Sequence, residues 1–261
     1  MSEKTGIQWT DSTWNPIVGC TSVSAGCAHC YARELHNRRR KAYLAGKKMP
    51  AQYAKPFDQV QLFPERLNLP FHWCKGRKIF VCSTADLFHE DVPFEFIDYV
   101  MATIALSRKR TFQVLTKRSE RMLEYFSVSR PCRYTRIIDA LNKGWVWDLH
   151  KQTIINLWHN APHVDAWPLT NLWLGVTAEN QAMFDLRWPY LRQIPAAVCF
   201  ISYEPALGPL VLPPDFLALG KRAWVIVGGE SGPHARPMNP QWARDLRHQC
   251  KATGMPYFHK Q

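Results

Sequence analysis

Residues 172–203 read LWLGVTAENQAMFDLRWPYLRQIPAAVCFISY and contain one complete strand–helix–strand unit. The apolar runs Leu172–Thr177 and Val198–Tyr203 predict two buried β-strands, and the segment 180–194 between them has a helical pattern. Near-continuous apolar strands are typical of a parallel sheet that is covered by helices. This segment therefore predicts a right-handed crossover between two parallel strands.

The same alternation extends along the chain. Further strands are predicted at Lys78–Ser83, Thr111–Thr116, Ala223–Gly228 and Met255–His259, with a first strand near Pro16–Val18. Further helices are predicted at 93–108, 119–127 and 239–253, with Pro93 in a first turn, Ser119 and Asn239 as N-caps, Pro240 at a first helical position and Gly254 as a stop. About seven strands in this order predict one α/β domain over residues 1–261. We expect an open, partial parallel α/β barrel of six or seven strands.

Cys20, Cys27 and Cys30 lie within eleven residues, directly before Tyr31. Three thiolates can hold three irons of a [4Fe-4S] cluster and leave the fourth iron open for a reacting ligand. A structural zinc site with His29 or His36 as a fourth ligand is an alternative, although the chain has only one Cys-x-x-Cys pair. Unrelated or disulfide-forming cysteines are a further alternative.

The other five cysteines are scattered without the spacing of metal ligands: Cys74, Cys82, Cys132, Cys199 and Cys250. Cys82 and Cys199 stand in apolar runs, so we expect buried, inert thiols there. The first residues contain no charged-then-apolar signal segment, which predicts a cytoplasmic protein. A reducing cytoplasm favours metal ligation over disulfides.

The chain is basic, with a formal net charge of +12 and a pI of about 9.4. Basic residues are concentrated just after the cysteines, at Arg38, Arg39, Arg40 and Lys41 and again at Lys47–Lys48. Such a surface favours a polyanion, most plainly a nucleic acid, with a solvated basic helix face as the alternative. No apolar run approaches bilayer length, so no membrane partner is expected.

Polar residues follow five of the predicted strands. They are Ser83, Thr84 and Asp86; Thr116, Lys117 and Arg118; Thr177, Glu179 and Asn180; Ser202 and Glu204; and Gly228, Gly229, Glu230 and Ser231. The working residues of α/β barrels lie where strands end and loops begin. We therefore expect these groups to converge on one mouth together with the cysteine loop.

An S-adenosylmethionine bound to an open iron would need partners of these types. Glu179, Asn180 and Glu204 suit its ribose or amino group, and Lys117 or Arg118 suits its carboxylate or a substrate phosphate. Gly228, Gly229 and Glu230 offer backbone N–H groups to a ligand, and we place Tyr31 and Ser83 at the same cofactor site. Asp86 and His89 are candidates, with Lys117, for catalysis, and the acidic run Asp86–Asp91 suits acid–base work or a cation. A polar lead-in to the next helix is the alternative for that run.

Several motifs carry a family resemblance. They are Ile7–Pro16, Gly26–Ala32, Asp86–Pro93, Gln113–Arg118 and Val227–Gly232. They resemble a three-cysteine-motif phage protein family, also called phage gene product 37/68 and a domain of unknown function. The resemblance covers nearly the whole chain except about 128–170. That segment mixes cations with aromatic residues and is predicted to be an insertion, either contacting nucleic acid or packing as helices.

More distantly, the chain resembles divergent radical S-adenosylmethionine enzymes. This resemblance implies a partial α/β barrel, a [4Fe-4S] cluster, S-adenosylmethionine and a reducing electron donor. The first gap between the cysteines is six residues instead of the usual three, His29 occupies the usual aromatic position, and Gly228-Gly229-Glu230 follows a late strand instead of the second. The tyrosine after the last cysteine and the basic surface resemble those of DNA photoproduct lyases.

The leading hypothesis is a radical S-adenosylmethionine-type iron–sulfur enzyme that modifies or repairs a nucleic acid or nucleotide. One alternative is a non-catalytic nucleic-acid-binding protein with a structural zinc or iron–sulfur site. A second alternative is a metal-dependent nuclease that uses Asp86, His89, Glu90 and Asp91.

Overall fold

The computed structural model describes residues 5–73, 76–127, 167–232 and 234–260. The strands in this part are β1 (Ser12–Trp14), β2 (Ile17–Val18), β3 (Gln61–Leu62), β4 (Lys78–Val81), β5 (Thr111–Thr116), β6 (Leu172–Thr177), β7 (Val198–Tyr203), β8 (Ala223–Val227) and β9 (Tyr257–His259). The α-helices are α1 (Tyr31–Leu44), α2 (Phe94–Leu106), α3 (Ser119–Phe126), α4 (Gln181–Leu191), α5 (Pro214–Leu217) and α6 (Pro240–Ala252).

Seven strands form one parallel sheet in the order β1-β4-β5-β6-β7-β8-β9. Every neighbouring pair is parallel, from Ser12 opposite Ile79 at one edge to Val225 opposite Tyr257 at the other. The sheet curls into a half-barrel whose two edges are β1 and β9. The expected partial parallel α/β barrel is therefore confirmed.

A strand is present near Pro16–Val18 as predicted, but its assignment as the first strand of the barrel is wrong. Ile17–Val18 pairs antiparallel with Gln61–Leu62 in a separate two-stranded sheet, and the first strand of the half-barrel is Ser12–Trp14. The apolar pattern does not reveal this strand because Ser12 and Thr13 are polar. They are nevertheless buried, because the strand aligns with β4 at the edge of the sheet.

The predicted helices are present with slightly different ends. Asn239 caps α6 as expected, since its side chain accepts a hydrogen bond from the Gln241 N–H, and α2 begins directly after Pro93. Ser119 is the first residue of α3 instead of its N-cap. Helix α1 is not among the predicted helices. It buries only Ala32 and His36, and its sequence therefore has no apolar stripe that would indicate a helix.

The two faces of the sheet have different cores. Outward residues such as Val114 and Ile201 pack against the helices in the main hydrophobic core. Inward residues form a smaller cluster in which Trp9 lies against Phe80 and Phe200, with ring centroids 4.6 and 6.5 Å apart. This aromatic cluster lies on the concave side of the half-barrel.

The predicted insertion at 128–170 lies mostly outside the described residues, as do Cys74 and Cys132. Trp167, at the end of that segment, packs against Phe126 with ring centroids 5.1 Å apart. No helix in the described ranges is both long and apolar enough to span a membrane.

Candidate functional site

The three cysteines of the motif line one cavity at the carboxyl ends of the strands. This cavity has a volume of about 140 Å³, and Ser83, Asp86, Lys117 and Arg118 also line it. The thiols of Cys20, Cys27 and Cys30 are free and half-buried. The three thiols line the same cavity, and their role as metal ligands stays a prediction.

A larger cavity of about 370 Å³ adjoins the first and shares Cys30, Tyr31 and Lys117 with it. Trp9, Phe80 and Leu115 of the concave aromatic cluster belong to its lining. Its polar lining comes from the ends of β6 to β9: Thr177, Ser202, Glu204, Glu230, Ser231 and Lys260. The mouth therefore combines an apolar floor with polar walls.

One end of the cysteine loop is held by Thr21. Its hydroxyl oxygen accepts from Arg118 Nη2 at 2.8 Å and lies 2.8 Å from His89 Nε2. His89 Nδ1 accepts from the Asp91 N–H at 3.1 Å, so Nε2 carries the ring proton and donates it to Thr21. Burial and the nearby Arg118 charge lower the pKa of His89, which favours the neutral ring.

The middle of the loop is held by Glu179. Its Oε1 accepts from the Ser24 hydroxyl at 2.5 Å, and its Oε2 accepts from Arg187 Nη1 at 2.7 Å. A Cβ placed on Gly26 would overlap the Glu179 carboxylate, so the loop needs glycine to approach β6 this closely. The pKa of Glu179 is lowered because the charges of Lys117 and Arg187 and the Ser24 hydrogen bond outweigh its burial.

A third contact joins the loop to β8. Arg236 donates to the carbonyl of Ala25 at 2.9 Å and also to the Glu230 carboxylate, with Nε 2.9 Å from Oε2. These hydrogen bonds from Arg236 lower the pKa of Glu230 to about 2. The loop is thus attached to the ends of β4, β5, β6 and β8.

The environments of Cys20 and Cys27 differ. Burial and the Asp86 charge raise the pKa of Cys20 to about 11, against the opposing effect of Arg118, whose Nη1 lies 3.5 Å from its sulfur. At Cys27, burial is outweighed by hydrogen bonding with Val23 and Ser24 and by the Lys117 charge, so its pKa is lowered. The two thiols are therefore not equivalent.

The whole chain matches one protein family. Residues 4–261 match a family described as a protein of unknown function (DUF5131). The chain belongs to this family. The expected membership of a family of unknown function is confirmed, and the narrower phage assignment stays a prediction.

Other comparisons add little to the DUF5131 family match. No curated protein matches the chain. Among solved structures, the chain is similar to a mutant of spore photoproduct lyase at 9% identity and a TM-score of 0.48, over 100% of this chain and 80% of that one. So distant a likeness says nothing about the activity of this DUF5131 chain.

The donor set in this family member suits a soft metal or an iron–sulfur cluster, because three free thiols line one cavity. Among the described residues, however, no three His, Cys, Asp or Glu side chains are close enough to hold a metal ion. Neither proposed fourth zinc ligand lines the smaller cavity, although His29 lines the larger one together with Cys30. His36 donates to the Lys55 carbonyl at 2.9 Å.

Both carboxylate oxygens of Asp86 accept hydrogen bonds from other residues of the protein. Its Oδ1 accepts from the Phe88 N–H and the Thr116 hydroxyl, and its Oδ2 accepts from the Lys117 N–H and Arg118 Nη1. With His89 bonded to Thr21 and Asp91, two members of the acidic run hold local structure in this arrangement. This geometry gives no support to the nuclease alternative.

Four of the predicted cofactor residues have clear local contacts. The Tyr31 hydroxyl donates to the Ser83 carbonyl, and the Ser83 hydroxyl donates to Asn15 Oδ1 at 3.1 Å. Asn180 caps α4 by accepting from the Met183 N–H at 3.0 Å, and Glu204 Oε1 lies 3.1 Å from Lys260 Nζ.

The glycines differ in position. A Cβ on Gly228 would lie 2.6 Å from Glu204 Oε1, so Gly228 makes room for that carboxylate. Gly229 lines the larger cavity, whereas Gly228, Glu179, Asn180 and His89 line neither cavity.

The predicted nucleic-acid residues do not form one surface. Arg38, Arg39 and Lys41 are exposed on α1, and Arg40 is half-buried. Arg118 is 7% exposed and donates to Glu90, Thr21, Asp86 and Cys20, so it lies apart from the exposed cations of α1. It lies inside the mouth because β5 ends there and buries it behind the cysteine loop.

Sequence reasoning missed several residues of the site: Asn15, Thr21, Ser24, Arg187, Arg236 and Lys260. Asn15 and Lys260 directly follow β1 and β9, so the strand-end rule would have found them once those strands were bounded. Arg187 carries no such signal, since it lies within α4. The expected burial of Cys82 and Cys199 is confirmed, and Cys82 also lines the smaller cavity.

Proposed function

We propose that this chain is a radical S-adenosylmethionine-type iron–sulfur enzyme that modifies or repairs a nucleic acid or nucleotide. The observation that carries the proposal is the shared cavity of Cys20, Cys27 and Cys30 at the carboxyl ends of a parallel half-barrel. The adjoining cavity of about 370 Å³ offers room for a ligand beside Cys30. The formal charge of +12 supports a polyanionic substrate.

Cys20, Cys27 and Cys30 would hold the cluster, and the polar residues of the larger cavity would bind S-adenosylmethionine. When bound, these groups supply one-electron chemistry, which needs a reducing electron donor and suits a cytoplasmic protein. The chain itself positions the cysteine loop through Thr21, Ser24 and Ala25. The Trp9 and Phe80 floor would limit the water that reaches the reacting groups.

Lys117 is suited to hold an anionic group, because it lines both cavities. Its Nζ lies 3.9 Å from Glu179 Oε1, whereas Arg187 contacts the same carboxylate at 2.7 Å. Since Arg187 already compensates the carboxylate, the Lys117 ammonium remains available to a carboxylate or phosphate of a ligand.

The test is anaerobic purification and reconstitution of the full chain with iron and sulfide. Iron, sulfide and zinc are counted per chain, and 5′-deoxyadenosine is measured after incubation with S-adenosylmethionine and a strong reductant. We expect about four irons per chain and formation of that product. Each of Cys20→Ala, Cys27→Ala and Cys30→Ala should abolish the cluster absorbance, whereas Cys199→Ala, at a buried thiol outside both cavities, should retain it.

Two results would overturn the proposal. Retention of the cluster in all three single variants would show that these thiols are not its ligands. Tightly bound zinc, without a cluster or cofactor cleavage, would instead favour the structural-site alternative.

A further inference from the structure

Helix α1 starts at the cavities and carries the exposed basic residues away from them. Tyr31, its first residue, lines both cavities, yet it is 49% exposed. Its hydroxyl donates to the Ser83 carbonyl, which fixes the ring at the rim of the mouth. An aromatic ring held with part of its surface in water is suited to stack on a planar ligand.

The helical repeat places Arg38 almost in line with Tyr31, at about 20° around the axis, and Lys41 about 80° away on the adjoining side. Arg38 and Lys41 follow it by seven and ten residues, which is about two and about three turns, or roughly 10 and 15 Å along the axis. Both residues are exposed, and neither side chain has a hydrogen-bond or ion-pair partner among the described residues. Lys47 and Lys48, also exposed, follow the end of the helix.

Two other arginines of α1 donate to neighbouring hydroxyl groups. Arg39 Nη1 donates to the Tyr53 hydroxyl at 2.6 Å, and Arg33 donates to the Ser22 hydroxyl. Glu34 lies between Tyr31 and Arg38 on the exposed face, where its carboxylate is close to Gly232. Arg40 is half-buried and its Nε has no hydrogen-bond partner among the described residues, so Arg38 and Lys41 are the exposed, unpaired cations of the helix that begins at Tyr31.

We propose that Tyr31, Arg38 and Lys41 form a binding strip for single-stranded nucleic acid. A base stacks on Tyr31 at the rim of the mouth, and the backbone phosphates of adjoining nucleotides contact Arg38 and Lys41. Because the two cations follow each other along the helix axis, they suit successive backbone phosphates, so the ligand we propose is a polymer and not a free nucleotide. A stacked base must be unpaired, which favours a single strand over a duplex.

This inference rests on the proposed function for its biological meaning, but its test does not. The fluorescence anisotropy of a labelled twelve-residue oligothymidylate is measured with the full chain across a salt series, without S-adenosylmethionine or reductant. Arg38→Gln/Lys41→Gln should weaken binding about tenfold near physiological salt and reduce the salt slope by about 1.4, the value for two contacts to a single strand.

A matched control removes the same charge elsewhere. Arg247→Gln/Lys251→Gln takes two exposed cations from α6 and should change the affinity less than about twofold. Tyr31→Leu should weaken binding about tenfold, whereas Tyr31→Phe, which keeps the ring, should retain most of it. The duplex of the same length should bind more weakly, and thymidine monophosphate should not compete.

Several outcomes would overturn the strip. Equal losses of oligonucleotide affinity in the α1 and α6 double variants would show that net charge alone accounts for binding. Competition by the mononucleotide would exclude a polymer site. Binding to phosphatidylserine vesicles but not to the oligonucleotide would assign the cations to a lipid surface. Oligonucleotide binding without 5′-deoxyadenosine formation would leave the strip standing and count against the enzyme alone.

Discussion

Arg187 Nη1 lies 2.7 Å from Glu179 Oε2, and the two side chains are only 2% and 1% exposed. The pair links α4 to the end of β6, and through the other oxygen of Glu179 it reaches Ser24 in the cysteine loop. The cost of burying each charge of such an ion pair is offset only while the other charge is present. The position of the loop therefore depends on an arginine that lines neither cavity.

Arg187→Met should destabilise the chain by about 3–5 kcal/mol, because it removes the closest cation from the buried Glu179 carboxylate and leaves only Lys117 at 3.9 Å. Urea unfolding at neutral pH measures the loss. The matched control is Arg192→Gln, since Arg192 pairs with Asp215 at 3.2 Å but with side chains 55% and 45% exposed. That change should cost less than about 1 kcal/mol. Similar losses of unfolding free energy in both variants would contradict the expectation that the buried ion pair contributes more than the exposed one.

Gly26→Ala should distort the cysteine loop. The added methyl group would overlap the Glu179 carboxylate, which Arg187 and Ser24 hold in place. We expect a loss of about 1–3 kcal/mol in unfolding free energy, together with fewer irons per chain after reconstitution. Gly6→Ala is the control, since nothing lies within 4 Å of its added methyl group. An unchanged iron content in Gly26→Ala would show that the loop tolerates movement at β6.

Some parts of this architecture are readable from the sequence because their cause is local. The apolar runs Leu172–Thr177 and Val198–Tyr203 became β6 and β7 with unchanged ends, since a strand covered by helices must be apolar throughout. The strand-end rule likewise placed Lys117, Glu204 and Glu230 at one cavity.

Other parts depend on contacts between distant residues. Ser12–Trp14 is a strand because β4 lies beside it, and nothing in its own pattern indicates this. The strand-end rule predicts Arg118 at the mouth, but its partners there, Glu90 and Asp86, cannot be read from its position in the chain. The pairing of Glu179 with Arg187 cannot be read from spacing alone, because other partners for Glu179 were equally compatible with the sequence.

Acid should weaken the link between β8 and the cysteine loop. Arg236 lowers the pKa of Glu230 to about 2, whereas an unfolded glutamate has a pKa of about 4.3. The stabilisation is therefore fully present above about pH 4.3 and is lost as the pH falls toward about 2. Relative to Glu230→Gln, the wild type should have an advantage in unfolding free energy that is constant from about pH 7 to 5 and shrinks below that range. Urea unfolding between about pH 7 and 3 measures it, and a constant difference throughout would contradict the pair.

Two carboxylates contact Arg118, and we expect the more buried one to contribute more to the free energy of unfolding. Glu90 accepts from Arg118 Nε at 3.0 Å through both oxygens, but its side chain is 62% exposed. Asp86 lies farther from the guanidinium, at 3.4 Å, but its side chain is only 8% exposed. Because water screens the Glu90 charge, Glu90→Gln should cost less than about 1 kcal/mol despite the shorter distance.

Asp86→Asn should cost about 3–5 kcal/mol, since it removes the charge that compensates a buried arginine. It also replaces one carboxylate oxygen, which here accepts from backbone and side-chain donors, with an N–H₂ group that cannot accept. Urea unfolding of the two variants under identical conditions makes the comparison. An equal loss of unfolding free energy in Glu90→Gln and Asp86→Asn would contradict this expectation. It would show that the distance to Arg118, and not burial, determines how much each carboxylate stabilises the chain.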